Sequence, residues 1–287
     1  MSSITDVYSP RTTFRCTRLR GAKVGGSVCQ FCAVGCSQLG FFKDGKLIDV
    51  EGDPRSSVNE GRLCPKGSST YALNENPYRK VKPMYRAPGS DHWKEVSLDW
   101  MLDTVAKRIW ETRNKGFVEK DPKTGITVNN CANIGFIGGS ANDNEECYLF
   151  RKLFTGGLGI LPVENSARYC HSTTVCALSP TFGFGACTNP PRDLLNSDCI
   201  LIMGSNMAEA HPCAFYWPMQ AKKKGTVTIH VDPRYTRTSA ACDHHVHIRP
   251  ETDIAFLSGI IRYLLEKELW FKEYVLAYTC LLYTSDA

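Results

Sequence analysis

Four cysteines constrain what this chain can fold into more than any other feature. Cys29, Cys32 and Cys36 crowd one short segment, and after 27 intervening residues Cys64 follows, running directly into Pro65-Lys66-Gly67. Between them, Gln38 to Phe42 and Leu47 to Glu51 read as two short strands around Asp44-Gly45, the strongest local signal for a hairpin. Four thiolates thus come from two loops flanking one hairpin. Four cysteine ligands suit either a tetrahedral zinc or a four-iron four-sulfur cluster. Structural zinc usually takes its ligands as two short knuckles, whereas three cysteines on one loop and a lone fourth before proline are nearer to the cluster arrangement. Unliganded core cysteines are the third reading, and Ser27, Gln30, Gly35 and Ser37 set loop chemistry around the thiols rather than a buried apolar face. Lys66, two residues past the last thiol, is a cation either lining an electron exit or solvated at the surface.

The chain has 14 cysteines in 287 residues, below the roughly 8–10% of a small disulfide scaffold, so the cysteines point to reduced redox chemistry. The net charge of +5 is dispersed, with Lys222-Lys223-Lys224 the one compact basic run, which argues against a nucleic-acid partner. No stretch reaches the roughly 18 uninterrupted apolar residues of a spanning helix, since Ile254 to Leu265 is broken by Ser258, Gly259 and Arg262; no direct membrane span is expected. Met1 to Gly26 carries no apolar export core, which makes the chain cytoplasmic as written. Cys280 to Ala287 follows a helix without cap or turn chemistry and reads as a non-native tail.

Strand and helix signals then alternate. Ser97 to Asn114 has helical spacing with Asp99 in its first turn. Asn133 to Ile137 reads as a strand feeding Gly138-Gly139-Ser140 and a helix from about Asn142 to Phe154. Asp198 to Met203 is a strand ending in Gly204-Ser205-Asn206, followed by a helix from Pro212 to Lys224 and a strand from Thr226 to Val231. This is a βαβ unit, and it implies a parallel sheet with its loops gathered at the strand C-termini. Asp253 to Leu269 is a further helix. The expected fold class is α/β: an α+β cluster domain followed by αβα layers with mainly parallel sheets. Its segments are 1–75 (the cysteines and the hairpin), 76–165 (a first α/β part), 166–279 (a second α/β part that includes the loop bearing Cys170) and the tail 280–287.

Among the other cysteines, Cys131, Cys147, Cys176, Cys199, Cys213 and Cys242 lie in or beside apolar patterns and read as small core hydrophobes. Cys170 differs, because Arg168-Tyr169-Cys170-His171 sets a thiol beside an imidazole and near a cation, and positive neighbours favour the thiolate that acts as nucleophile or metal ligand. A structural thiol is the alternative. His245 and His247 would share a strand face, and a satisfied or exposed histidine strand is the reading preferred over a metal site.

These motifs together resemble the catalytic alpha subunits of formate dehydrogenases, within the molybdopterin bis-guanine-dinucleotide oxidoreductases. The resemblance rests on the four cysteines with Pro65-Lys66-Gly67, on Tyr85-Arg-Ala-Pro-Gly-Ser90, on Asn165 to Val175 and on Ser179 to Gly183. It continues through Ala208 to Pro212, Asp232 to Thr238, Ile248-Arg249 and Thr252 to Gly259. It implies one 4Fe-4S cluster on Cys29, Cys32, Cys36 and Cys64, with Lys66 between it and a pterin. It also implies molybdenum or tungsten held by Cys170, with His171 accepting the proton. Gly139, Ser140, Arg168, Gly204, Asn206, Glu209, His211, Asp232, Arg234, Thr252 and Asp253 are implied as contacts of the pterin and guanine groups.

The implied reaction is oxidation of formate to carbon dioxide, with electrons leaving through the cluster to an iron-sulfur partner subunit and a membrane cytochrome subunit. A periplasmic-type nitrate reductase is the nearest alternative, and a non-catalytic iron-sulfur or zinc module is the alternative of a different class. Ser172-Thr173 departs from the Gly-Pro common in relatives. By the same resemblance the compartment is periplasmic if the start is truncated, and the 287-residue chain alone is expected not to retain both pterins.

Overall fold

The computed structural model describes residues 18–279. Its contacts gather into two compact units, and the chain divides between Pro190 and Pro191.

The first unit opens with an antiparallel sheet in the order β1 (Lys23–Val28), β2 (Ser37–Lys43), β3 (Lys46–Gly52). The expected hairpin is β2–β3. Asp44 and Gly45 both adopt positive φ, 50° and 78°, the pairing that a two-residue turn between right-twisted strands demands. β2 is central, and its alternate residues serve two surfaces. Leu39 and Phe41 pack with Leu19 and Val24 into an apolar core, and burying each such side chain contributes about 1.5–3 kcal/mol. Gln38, on the other face, is also buried and turns to the segment after Cys64. β1 was not foreseen: Gly25 and Gly26 lower strand propensity, and the strand forms because an edge of β2 is open to it.

α1 (Pro65–Ser68) and α2 (Thr70–Asn74) follow, then the paired β4 (Met84–Tyr85) and β5 (Lys94–Glu95). α3 (Leu98–Gly116) starts where the sequence predicts it, capped by the Ser97 hydroxyl accepting from the Trp100 N–H. β6 (Phe117–Lys120) and β7 (Thr127–Cys131) form an antiparallel pair that the sequence did not reveal.

β8 (Phe136–Gly138) runs parallel to β9 (Val163–Asn165). Between them lies α4 (Asn144–Arg151), opened by an Asp143–Glu146 capping box, and a π-helical turn, Lys152–Gly157. The helix expected to run to Phe154 thus widens at Lys152. There Phe136 packs against Phe150 and Phe154 with ring centroids 4.9 and 4.4 Å away, and Gly156-Gly157 ends it. α5 (Ser166–Phe182) closes at Gly183, whose φ of 75° lets its N–H reach the Ser179 carbonyl.

The second unit is the predicted βαβ. β10 (Cys199–Met203), β11 (Val227–Val231) and β12 (His244–Val246) form a parallel sheet in that order. α6 (Met207–Ala210) and α7 (Pro212–Lys223) join the first two strands, and α8 (Arg237–Ala241) joins the next. Ile200, Ile202, Phe215, Ala221 and Cys242 make its core. α9 (Asp253–Glu266) and α10 (Lys272–Tyr278) follow; no residue of α9 is buried, and Ile254 is 82% exposed.

The expected α/β class holds, with parallel strands in the β8–β9 and β10–β12 sheets and antiparallel ones elsewhere. Of the cysteines assigned to the core, Cys131, Cys213 and Cys242 are buried and Cys147 is half-buried. Cys176 and Cys199 are exposed, a correction: helical and strand periodicity put them on the outward faces of α5 and β10. Cys280 to Ala287 lie outside the described residues, as does Cys16.

Candidate redox site

The Cys29, Cys32, Cys36 and Cys64 thiols form no disulfide; Cys29 and Cys36 are buried and Cys32 and Cys64 half-buried. The Cys29 N–H donates to the Cys36 carbonyl at 2.8 Å, which closes the first loop at the mouth of the β1–β2 pair. Cys64 caps α1, and the Ser68 N–H returns to its carbonyl. Two buried amides tie these segments together. Gln38 Nε2 donates to the Gly67 carbonyl at 2.8 Å. Asn59, only 1% exposed, accepts from the Ser37 N–H and donates to the carbonyls of Ser37 and Arg62.

The donor chemistry suits a four-iron cluster: four cysteine thiols come from two segments that the Gln38 and Asn59 amides tie together. Among the described residues no group of three or more His, Cys, Asp or Glu side chains is gathered as a single-ion site. Lys66 is exposed on α1.

Gly139 and Ser140 follow β8, and Asn165 connects them to the helix bearing Cys170. Its Nδ2 donates to the Gly139 carbonyl at 3.0 Å, while its Oδ1 accepts from the Ala167 N–H at 2.9 Å as the cap of α5. Cys170 and His171 are exposed on this helix, so the metal-ligand segment expected as a loop is helical. Adjacent helical residues point about 100° apart. His171 accordingly lines a cleft of about 680 Å³ with Arg168, Cys176, Cys187 and Ala33 of the cluster loop, and Cys170 stands outside that lining. Arg168, near Cys170 in sequence, is paired with an acidic neighbour. Its guanidinium bonds Glu164 at 2.6 Å, and that carboxylate raises its pKa further.

In the second unit Gly204 and Asp232 follow neighbouring parallel strands. The Gly204 N–H donates to the Val231 carbonyl, and the Asp232 N–H to that of Val246. Asp232 Oδ1 accepts from the Arg234 N–H at 2.7 Å. Asn206 bonds Glu209 and receives the Thr238 hydroxyl, and Glu209 also pairs with Arg237 at 3.3 Å. His211 links α6 to α7. Thr252 and Asp253 begin α9, with the Thr252 hydroxyl on the Arg249 carbonyl.

His230, fully buried on β11, was missed by sequence reasoning. Its Nε2 donates to the Ser205 carbonyl at 3.1 Å and its Nδ1 accepts from the Ser239 hydroxyl at 2.8 Å. It therefore holds the loop after β10 against the cap of α8. Burial pushes its pKa down, which keeps the ring neutral and suited to this donor-acceptor role. His245 likewise donates to the Asp232 carbonyl at 3.1 Å, a structural part for the histidine strand. The one outward sign of His230 was its alternation with apolar residues of β11.

Residues 22–76 match the Molybdopterin oxidoreductase Fe4S4 domain, and residues 79–269 match the Molybdopterin oxidoreductase family. The chain belongs to the molybdopterin oxidoreductase family. Its cofactors are a 4Fe-4S cluster and a molybdenum- or tungsten-bound pterin, and the resemblance to formate dehydrogenase alpha subunits holds. This molybdopterin oxidoreductase chain is 52% identical over 260 residues to "Formate dehydrogenase subunit alpha" of Megalodesulfovibrio gigas, which covers 90% of this chain and 26% of that protein. It is 47% identical over 262 residues to "Formate dehydrogenase 2 subunit alpha (cytochrome c-553)" of Nitratidesulfovibrio vulgaris, covering 91% and 26%. The chain thus spans about a quarter of the length of these relatives. Acetylene hydratase from Pelobacter acetylenicus shares the fold, with a TM-score of 0.68 and 22% identity over 88% of this chain and 33% of that one.

Proposed function

We propose that this chain belongs to a formate dehydrogenase and carries its cluster-bearing part and a portion of its pterin-bearing part. The observation that carries the reading is the 52% identity to a formate dehydrogenase alpha subunit across 90% of the chain, which includes the Cys170-His171 pair. When bound, the metal-pterin centre supplies two-electron oxidation of formate to carbon dioxide and a proton, and the cluster supplies one-electron transfer outward.

The roles of this chain's own side chains are those the resemblance implies. Cys170 offers a thiolate to molybdenum or tungsten. His171, on the cleft wall, holds the proton at an imidazole nitrogen. Lys66 on α1 sets a positive charge between cluster and pterin. Asp232 and Asp253 are acceptors matched to the N–H groups of a guanine edge. Gly139, Ser140, Arg168, Gly204, Asn206, Glu209, His211, Arg234 and Thr252 complete the contacts of two guanine-dinucleotide pterins. The electron acceptor is a partner iron-sulfur subunit, with a cytochrome beyond it.

Formate-dependent dye reduction by the holo protein tests the reading. Cys170→Ala abolishes it, and Cys199→Ala, an exposed thiol at the opposite end of β10, leaves it intact. Nitrate reduction in place of formate oxidation would overturn the assignment.

A further inference from the structure

We infer that Asn59 is a positioning residue for the iron-sulfur cluster, the side chain that sets the separation of Cys36 from Cys64. The inference rests on the four cysteines holding that cluster.

Asn59 belongs to neither cysteine loop, yet its amide joins the two. Its Oδ1 accepts from the backbone N–H of Ser37 at 3.0 Å, the residue directly after Cys36. Its Nδ2 donates to the Ser37 carbonyl at 3.1 Å and to the Arg62 carbonyl at 2.9 Å, two residues before Cys64. The side chain is 1% exposed, and losing it takes the amide acceptor from the Ser37 N–H at about 1–3 kcal/mol, while the Ser37 carbonyl keeps the Asp53 N–H.

The backbone around it is constrained to match. Glu60 and Gly61 both hold positive φ, 44° and 80°, and the Gly61 N–H is bound to the Asp53 carbonyl, whose own N–H also reaches Ser37. A non-glycine residue in the left-handed region persists only where its surroundings over-determine it. Here the Glu60 N–H bonds the Ser56 carbonyl, the Glu60 carboxylate pairs with Arg62 at 3.0 Å, and Asn59, one position earlier, bonds the Arg62 carbonyl. Leucine has a similar volume but bonds nothing, so packing alone does not explain an amide here. A cluster whose ligand spacing is set by a fully bonded amide is preorganised. Releasing one side lets Cys64 move relative to the other three thiols, which alters both the solvent access and the hydrogen bonding that tune the potential of such a cluster.

The test compares Asn59→Ala, Asn59→Asp and Leu39→Val in the full chain, each with its cluster in place. Asn59→Asp keeps the bond to the Ser37 N–H but turns a carboxylate oxygen on the two carbonyls. Leu39→Val weakens the same sheet from its apolar side without touching either cysteine loop. Two quantities are read: the rate of iron release to a chelator and the midpoint potential of the cluster.

We expect both Asn59 variants to release iron on the order of tenfold faster than Leu39→Val, with a shifted midpoint potential, and Leu39→Val to keep the unsubstituted potential. Asn59 variants that match Leu39→Val in both quantities would overturn the inference. Failure of both to fold would do the same, making Asn59 a residue of the fold rather than of the cluster. An unsubstituted, natively folded chain that binds zinc and no iron would instead sink the cluster reading itself.

Discussion

Gly52→Ala offers a sharp test of how the cluster domain is packed. Gly52 ends β3 against the segment that leads to Cys64. A Cβ added there would stand 2.4 Å from the Gly61 carbonyl oxygen, 2.5 Å from its carbon and 3.0 Å from its Cα. All three are main-chain atoms, so no rotamer change relieves them, and ordinary contact at 3.4 Å requires the backbone to move by about 1 Å. The segment has little room to yield, because Glu60 and Gly61 already occupy the left-handed region and the Gly61 N–H is bonded to Asp53. Overpacking of this kind costs typically 1–3 kcal/mol, and with main chain on both sides we expect about 3 kcal/mol.

Gly26→Ala on β1 is the matched control. Nothing lies within 4 Å of its Cβ position and its φ is not in the left-handed range, so the change stays within about 0.5 kcal/mol. Urea unfolding of the two variants followed by circular dichroism, at equal m-value, gives the difference directly. A Gly52→Ala midpoint indistinguishable from that of Gly26→Ala would falsify the argument.

Phe41→Ala empties the centre of the first core and should destabilise that unit by about 3–5 kcal/mol, seen as a lower urea midpoint. Asn165→Ala removes the cap of α5, worth about 0.5–2 kcal/mol, and takes the donor from the Gly139 carbonyl; amide exchange should quicken at Ala167 and the Gly139 carbonyl carbon resonance should shift with it, and a change at one of the two alone would contradict the shared tether. His230→Asn should flatten the acid side of the stability profile of the second unit. The folded pKa of His230 lies below its ordinary value of 6.5, so its neutral form contributes fully above pH 6.5. That contribution is lost as falling pH protonates the unfolded chain first. A profile between pH 7 and 5 unchanged by the substitution would refute this.

How far the fold could be read from sequence depended on the range of the interactions involved. The β2–β3 hairpin was legible because Asp44-Gly45 dictates its own turn, and the β10–α7–β11 unit because apolar strands and a helix opened by Pro212 declare themselves locally. β1 and the β6–β7 pair were not legible. Gly25-Gly26 and the polar run around Asn129 carry no strand signal, and those strands exist only through their partners. The same division holds at the site. The spacing of Cys29, Cys32, Cys36 and Cys64 named the ligands, but nothing local in Asn59, Gln38 or His230 announces a bond to a carbonyl some twenty or more residues away. The pairing of Arg168 with Glu164 was open to reading, since the two are four apart on the chain. The cap at Asn165 hid it by starting the helix where a loop was expected.

Asn165 has a consequence for how such a protein can change. Both ends of one short amide are occupied, one by the turn after β8 and the other by the first turn of α5. No single substitution can retune the glycine turn while leaving the thiol-bearing helix where it is, or tilt that helix without releasing the turn. Variation at this position therefore acts as a lock on two neighbouring segments at once. An engineer wishing to move Cys170 relative to Gly139 must supply a second, compensating change before giving up the first.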